Sequence, residues 1–142
     1  MQNVLITGYT GFVGRNLIAY NSKGNEFTQL LMSRIKMSSR KSISNSFKSV
    51  DAVVPLARKA HDLKGSSQVS DYYKVNYELT TELYDAFISS EAKKFIFVSS
   101  VKAAADSLEC ILSEDYSPDP KTHYGKSKLQ AEQYIQNQLL PK

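Results

Sequence analysis

Three glycines at a spacing of three, Gly8, Gly11 and Gly14, stand between an apolar run and an amphipathic segment. Val4-Leu5-Ile6 leads in, and Phe12 to Tyr20 follows at once. The pattern reads as a strand, a tight turn and a helix. Such a unit suits a diphosphate. Gly8 allows the turn out of the strand, Gly11 leaves bare backbone for an anion to approach, and Gly14 lets the helix pack close to the strand. The first N–H groups of the helix lack acceptors and point at the anion. A glycine-rich turn of another α/β protein is the bland alternative, and three glycines in register after a first strand argue against it. The spacing is G-x-x-G-x-x-G, not the G-x-G-x-x-G of the general dinucleotide fingerprint.

The remaining chain extends that beginning. Residues 2–7 read as a buried strand and 11–21 as a helix, with Phe12, Val13, Leu17 and Ile18 on its inner face. Phe27 to Ser33 reads as a second strand. Residues 34–50 are rich in Ser, Lys and Arg and have no period, so a surface excursion is expected, with one helical turn near Ser46 to Ser49. Asp51 to Ala57 is the next strand, and Pro55, lacking an N–H, belongs at its end. A polar loop precedes a helix over Asp71 to Ser89, where Val75, Leu79, Leu83 and Phe87 recur every fourth residue and Asp71 serves as N-cap. Lys94 to Ser100 is an apolar strand, 101–121 a long loop, and Tyr124 to Leu139 the last helix. Apolar strands alternating with helices argue for an α/β doubly wound parallel sheet, with residues 1–142 as one domain.

Composition narrows the function classes. The 42% hydrophobic and 23% charged fractions are ordinary for a soluble domain. No apolar run reaches the ~20 residues of a membrane span. The chain starts directly on its first strand, and its one cysteine, Cys110, has no internal partner. A cytoplasmic protein without a signal peptide is therefore expected. A net charge of +4, with no aromatic-and-basic pattern, gives no reason to expect nucleic-acid binding. His61 has no second ligand near it in sequence, and no metal site is expected.

Chemistry is concentrated in Tyr124-Gly125-Lys126-Ser127-Lys128. Tyr124 and Lys128 lie four apart at a helix start, on one face. A tyrosine titrates near pH 10 and is a poor base at neutrality. An ammonium ~4 Å away is worth roughly 4 kcal/mol at an effective dielectric of ~20, about three pK units. Such a tyrosine can exchange a proton with a substrate hydroxyl. Ser99 and Ser100 close a strand whose carboxyl end is where open α/β sheets bind ligands, and a serine there can hold the same substrate oxygen.

With these pieces in order, the chain resembles the N-terminal part of the extended short-chain dehydrogenase/reductases, the NAD-dependent epimerase/dehydratases. The matching stretches are Thr7 to Gly14, Asp51 to Ala57, Val75-Asn76, Phe95 to Lys102 and Tyr124 to Lys128. Within that family it most resembles bacterial nucleotide-sugar 4-epimerases and 4-ketosugar reductases. The resemblance implies a Rossmann fold, truncated after the catalytic helix, with the C-terminal substrate domain absent. It implies that Gly8, Gly11 and Gly14 hold the diphosphate of NAD or NADP, with Phe12 and Val13 opening the helix beneath it. Leu56 and Ala57 would line the adenosine side, and Asn76 would lie near the inner end of the cofactor site. It further implies Tyr124 as the proton-transfer residue, Ser100 rather than Ser99 as the catalytic serine, and Lys128 on the nicotinamide ribose. A nucleotide sugar would be the substrate, and the helices at 71–89 and 124–139 would pair two copies into a homodimer. Two departures stand out: Pro55 replaces the family's usual histidine, and nothing in 34–50 supplies the third strand and adenine-touching acidic residue that the family usually has. No acidic residue follows the second strand either. Met32-Ser33-Arg34 ends that strand instead, and Ser33 and Arg34 can hold a 2′-phosphate. An enzyme domain is expected; a cofactor-binding module or truncated remnant without turnover is the competing reading.

Overall fold

A computed structural model describes residues 2–21, 25–30, 47, 49–59, 68–107 and 111–139. In chain order its elements are β1 (Gln2–Thr7), α1 (Phe12–Asn21), β2 (Asn25–Leu30), β3 (Ala52–Pro55), α2 (Val69–Tyr73), a π-helical turn (Lys74–Glu78), α3 (Leu79–Ile88), β4 (Lys94–Phe95), a 3₁₀ turn (Val101–Ala103) and α4 (His123–Leu139). Two compact units are formed, residues 1–57 with 82–98 and residues 58–81 with 99–142.

The first unit holds the sheet. Its strands are all parallel, in the order β2-β1-β3-β4. The chain moves from β1 to one side and returns to the other, which makes the β1–β3 boundary the topological switch point. Leu5, Ile6 and Val53 are fully buried. Val4, Ala52 and Val54 form one cluster, against which Leu17 of α1 packs. Phe95, in register with Val53, meets the ring of Tyr84 edge-on at 5.0 Å and that of Phe87 at 5.4 Å, both on α3. Fully burying an apolar side chain contributes roughly 1.5–3 kcal/mol, and these strands hold several. Pro55 is the last residue of β3, as its missing N–H requires.

Four expectations are corrected. Phe12 and Val13 do not face inward; they are 76% and 44% exposed. The stripe of α1 runs through buried Gly14 and half-buried Leu17, Ile18 and Asn21, so its first position is a glycine with no apolar signal to read. Asp71 is not the N-cap of its helix. Gln68 is, and the Asp71 carboxylate reaches back to accept the Gln68 N–H at 3.2 Å, the reciprocal half of a capping box. The strand expected over 94–100 is confined to Lys94–Phe95, with Ile96 adding one N–H to Val53 O at 2.8 Å. Ile96 and Val98 are 50% and 46% exposed, because β4 ends the sheet order and only its alternate positions have a face to cover. Near 46–49, the Phe47 carbonyl accepts the Val50 N–H at 3.4 Å and Ser49 takes a φ of 60°, a tight turn instead of helix. Residues 34–46, His61 and Cys110 lie outside the described residues.

The second unit packs the π-helical turn and the 3₁₀ turn against α4. Tyr77 and Tyr134 meet edge-on at 6.4 Å, and Ala103 and Ala131 are buried. No helix among the described residues is long and apolar enough to cross a membrane.

Candidate active site

The glycine turn is built by excluding side chains. Gly8 has φ +65°, and a Cβ there would lie 2.5 Å from Ala57 N and Leu56 C. A Cβ on Gly14 would lie 2.6 Å from Gly8 O and Tyr9 Cα. Both glycines are therefore demanded by the fold itself. Gly11 is different: it is exposed, and a Cβ there would find only Gly8 O, at 3.2 Å. The Gly11 N–H donates to Gly8 O at 3.0 Å and its carbonyl accepts the Arg15 N–H at 3.0 Å, so the turn is closed beneath it. Bare backbone beside the N-terminus of a ten-residue helix fits the diphosphate of a dinucleotide. Leu56 and Ala57 back this turn directly, and the Ala57 N–H donates to Thr7 Oγ1 at 3.1 Å. Ser33 and Arg34 lie outside the described residues.

The start of α4 is built from buried polar side chains. Tyr124 is half-buried and Lys128, one turn on, is 5% exposed. Burial, with the Arg58 guanidinium adding to it and Glu132 opposing, lowers the Lys128 pKa to about 8. Ser127, between them, is fully buried; its hydroxyl donates to the Tyr124 carbonyl at 2.8 Å and accepts from Asn76 Nδ2 at 3.0 Å. Asn76 sits in the π-helical turn, buried, with its amide engaged on every atom. Its Oδ1 accepts the Lys59 N–H at 2.9 Å, and its Nδ2 also donates to Lys59 O at 3.0 Å. π-turns of this kind recur at functional sites. Ser100 caps the 3₁₀ turn, its Oγ accepting the Lys102 N–H at 3.2 Å. Ser99 Oγ is buried with no hydrogen-bond partner among the described residues. His123 Nδ1 lies 3.2 Å from the Tyr73 hydroxyl. No cluster of potential metal ligands occurs among the described residues.

The profile of the NAD dependent epimerase/dehydratase family matches residues 4–138. The chain belongs to that family. It is 29% identical over 151 residues to a UDP-glucose 4-epimerase of Vibrio cholerae, covering 94% of this chain and 46% of that protein. It is 31% identical over 144 residues to an N-acetyl-alpha-D-glucosaminyl-diphospho-ditrans,octacis-undecaprenol 4-epimerase of Escherichia coli O157:H7, covering 94% and 43%. A short-chain dehydrogenase/reductase superfamily protein from Agrobacterium tumefaciens with bound NAD superposes at a TM-score of 0.81. That match has 24% identity and covers 96% of this chain and 44% of that one. The last likeness shows the fold, a Rossmann-type parallel sheet. The chain thus spans under half the length of the curated relatives.

Within this epimerase/dehydratase unit, sequence reasoning missed Ser127, Asp106 and the reason for Gly125. A Cβ on Gly125 would run into the Lys102 carbonyl and lie 2.8 Å from Pro120 Cβ, so glycine lets α4 seat on the turn that Ser100 caps. The only available signal was Gly125's place inside a helix, where glycine costs roughly 1 kcal/mol and so implies a packing reason.

Proposed function

We propose that this chain is the dinucleotide-binding and proton-transferring part of a nucleotide-sugar epimerase or dehydratase. The reaction is hydride transfer at C4 of a UDP- or dTDP-linked hexose, with Tyr124 as acid/base. The observation that carries this is Lys128: a lysine buried one turn after Tyr124, its pKa lowered to about 8 yet still largely cationic at neutral pH. A tyrosine and a lysine one helical turn apart lie on one face, the pairing that a proton-transfer residue and its cofactor contact need.

A nicotinamide dinucleotide supplies acceptance and return of the hydride. Gly8, Gly11 and Gly14 with the first N–H groups of α1 would hold its diphosphate, Leu56 and Ala57 its adenosine side, and Lys128 its ribose. Ser33 and Arg34, with no acidic residue beside them, suit NADP as well as NAD. Tyr124 takes the proton of the sugar hydroxyl and later gives it back, while the Ser100 hydroxyl holds that oxygen. Asn76 and Ser127 hold the helix that carries Tyr124. The two named 4-epimerases among the relatives support C4 as the reacting carbon. Because those relatives are twice as long, the activity is read as that of the whole protein. A homodimer belongs to the same reading, and light scattering tests it.

The test combines two variants. Gly11→Val abolishes NADH binding in calorimetry while circular dichroism stays unchanged; undiminished affinity overturns the cradle. In the whole protein, Tyr124→Phe keeps cofactor binding but lowers UDP-hexose turnover by about 10²-fold or more, the range of lost acid–base catalysis. Near-normal turnover would assign the proton elsewhere. Turnover is expected of the whole protein and not of this chain alone; cofactor binding with no turnover in the whole protein would favour a binding module.

A further inference from the structure

We propose that Asp106 is a positioning residue for this reaction, a carboxylate clamp that sets the Ser100 turn against the first turn of the Tyr124 helix. The inference rests on the reading above, in which the two hydroxyls address one substrate oxygen. Twenty-three residues separate Ser100 from Tyr124 in sequence, too long and irregular a connection to fix two side chains by itself. The clamp replaces that path with a short one. Asp106 Oδ2 accepts the backbone N–H groups of Lys121, at 2.6 Å, and Thr122, at 3.0 Å. Its Oδ1 accepts the Thr122 hydroxyl at 2.8 Å. Thr122 Oγ1 in turn accepts the Gly125 N–H at 3.2 Å, capping α4 beside Tyr124. On the other side, Lys102 Nζ donates to Asp106 O at 3.0 Å and stands 3.8 Å from Oδ1, while the Lys102 N–H is the one that holds Ser100 Oγ. A second tie, Asp119 N–H to Ala104 O at 2.8 Å, closes the same base.

The charge of Asp106 matters to this arrangement. Hydrogen bonds from backbone N–H groups to a carboxylate are about twice as strong as neutral ones. An anion at the N-terminus of a seventeen-residue helix also gains from the helix dipole. The Thr122 and Lys121 N–H groups, then the Thr122 hydroxyl and the Lys102 ammonium, hold the carboxyl below the ordinary Asp range. Among the described residues, the Lys121 ammonium beside the clamp is paired with Asp119. An Asp with a lowered folded pKa contributes stability above its unfolded pKa and loses it as pH falls through the folded one. The clamp is therefore closed at every pH at which the reaction is expected to run. Misplacing a reacting group by about 1 Å costs roughly 10²-fold in rate, so a clamp between the two hydroxyls controls rate more than binding.

The test compares the full wild-type chain with Asp106→Ala and Asp106→Asn. Amide hydrogen exchange by NMR is expected to accelerate at least tenfold in Asp106→Ala at Lys121, Thr122 and Gly125, and equally at Lys102 across the clamp. Amides in the middle of α4 and the affinity for NADH stay within twofold. Asp106→Asn, which keeps one acceptor oxygen, is expected to recover part of the protection. In the wild type, protection at Lys102 and Thr122 collapses together only as pH falls below the ordinary Asp range; Asp106→Asn lacks this acid limb. With UDP-hexose and the same substitution in the whole protein, kcat is expected to fall about tenfold with KM unchanged. Unchanged exchange at Lys102 would overturn the inference, reducing Asp106 to a helix cap. A KM effect with kcat intact would overturn it too. Absence of turnover in the wild-type whole protein would instead count against the proposed function, and the exchange pattern would still decide the clamp.

Discussion

The glycine turn and the start of α4, both proposed to hold a ligand, are made in opposite ways. At the turn, backbone forms the surface and side chains are kept out: at positions 8 and 14 even a Cβ would collide with main chain. At α4, buried side chains form the surface, with Asn76, Ser127 and Lys128 all at most 5% exposed. The turn is specified by adjacent residues. The α4 site depends on partners from residues 59, 76 and 127, the last two 51 apart. A local device should therefore fail by strain, and a distributed one by leaving buried groups unsatisfied.

Gly8→Ala is the largest expected effect. The alanine pays roughly 1–2 kcal/mol for a left-handed φ, and its Cβ overlaps backbone of Leu56 and Ala57 at 2.5 Å. A loss above about 3 kcal/mol in urea denaturation, or failure to fold, is expected. Gly11→Ala, whose Cβ meets only Gly8 O at 3.2 Å, should lose under about 1 kcal/mol. Equal losses at the two positions would erase the distinction between a glycine kept for the fold and one kept for a ligand.

Asn76→Ala comes next, at about 2 kcal/mol. It orphans the Lys59 N–H and carbonyl and removes the donor to Ser127 Oγ. Ser127→Ala should cost less, about 1 kcal/mol, because its Tyr124 carbonyl partner keeps its place in α4. The double variant should lose less than the sum of the two, since they share one hydrogen bond. Strict additivity in denaturation would show that the two residues act separately.

The same contrast explains what was legible in the sequence. The glycine turn, β1, Pro55 at the end of β3 and the start of α4 each follow from residues within one turn or strand, and each was readable. Phe12 and Val13 were misassigned because the burial stripe begins on Gly14, which carries no hydrophobic signal. Ile96 and Val98 look as apolar as β3, yet strand composition cannot tell a central strand from one that ends the sheet. The π-helical turn was invisible because it inserts into a helix whose four-residue spacing of Val75, Leu79, Leu83 and Phe87 already reads as regular. Asn76, Ser127 and Asp106 are ordinary polar residues in isolation; only long-range partners reveal their work.

The remaining expected effect runs in the stabilising direction. Lys128 is buried and its pKa is lowered from 10.5 to about 8, chiefly by that burial. Between those two pH values the unfolded chain binds a proton that the folded chain does not, so stability from this group rises with pH across that window. Below about pH 8 the folded protein carries the full cost of a buried cation, roughly 1–2 kcal/mol after allowance for screening by nearby solvent and Glu132. Replacing Lys128 by Met removes the charge while filling similar volume, and buried charges replaced by apolar residues are often neutral or stabilising exchanges. Lys128→Met should therefore be more stable than wild type at pH 7, by that amount, with the advantage vanishing toward pH 10.5. Paired urea denaturations at pH 6, 7.5, 9 and 10 measure it, and groups other than Lys128 cancel in the difference. A destabilised Lys128→Met at pH 7 would mean that its attraction to Glu132 outweighs desolvation. A stabilised variant that loses turnover would mark Lys128 as a residue held for chemistry at the fold's expense, which the glycine turn has no side chain to do.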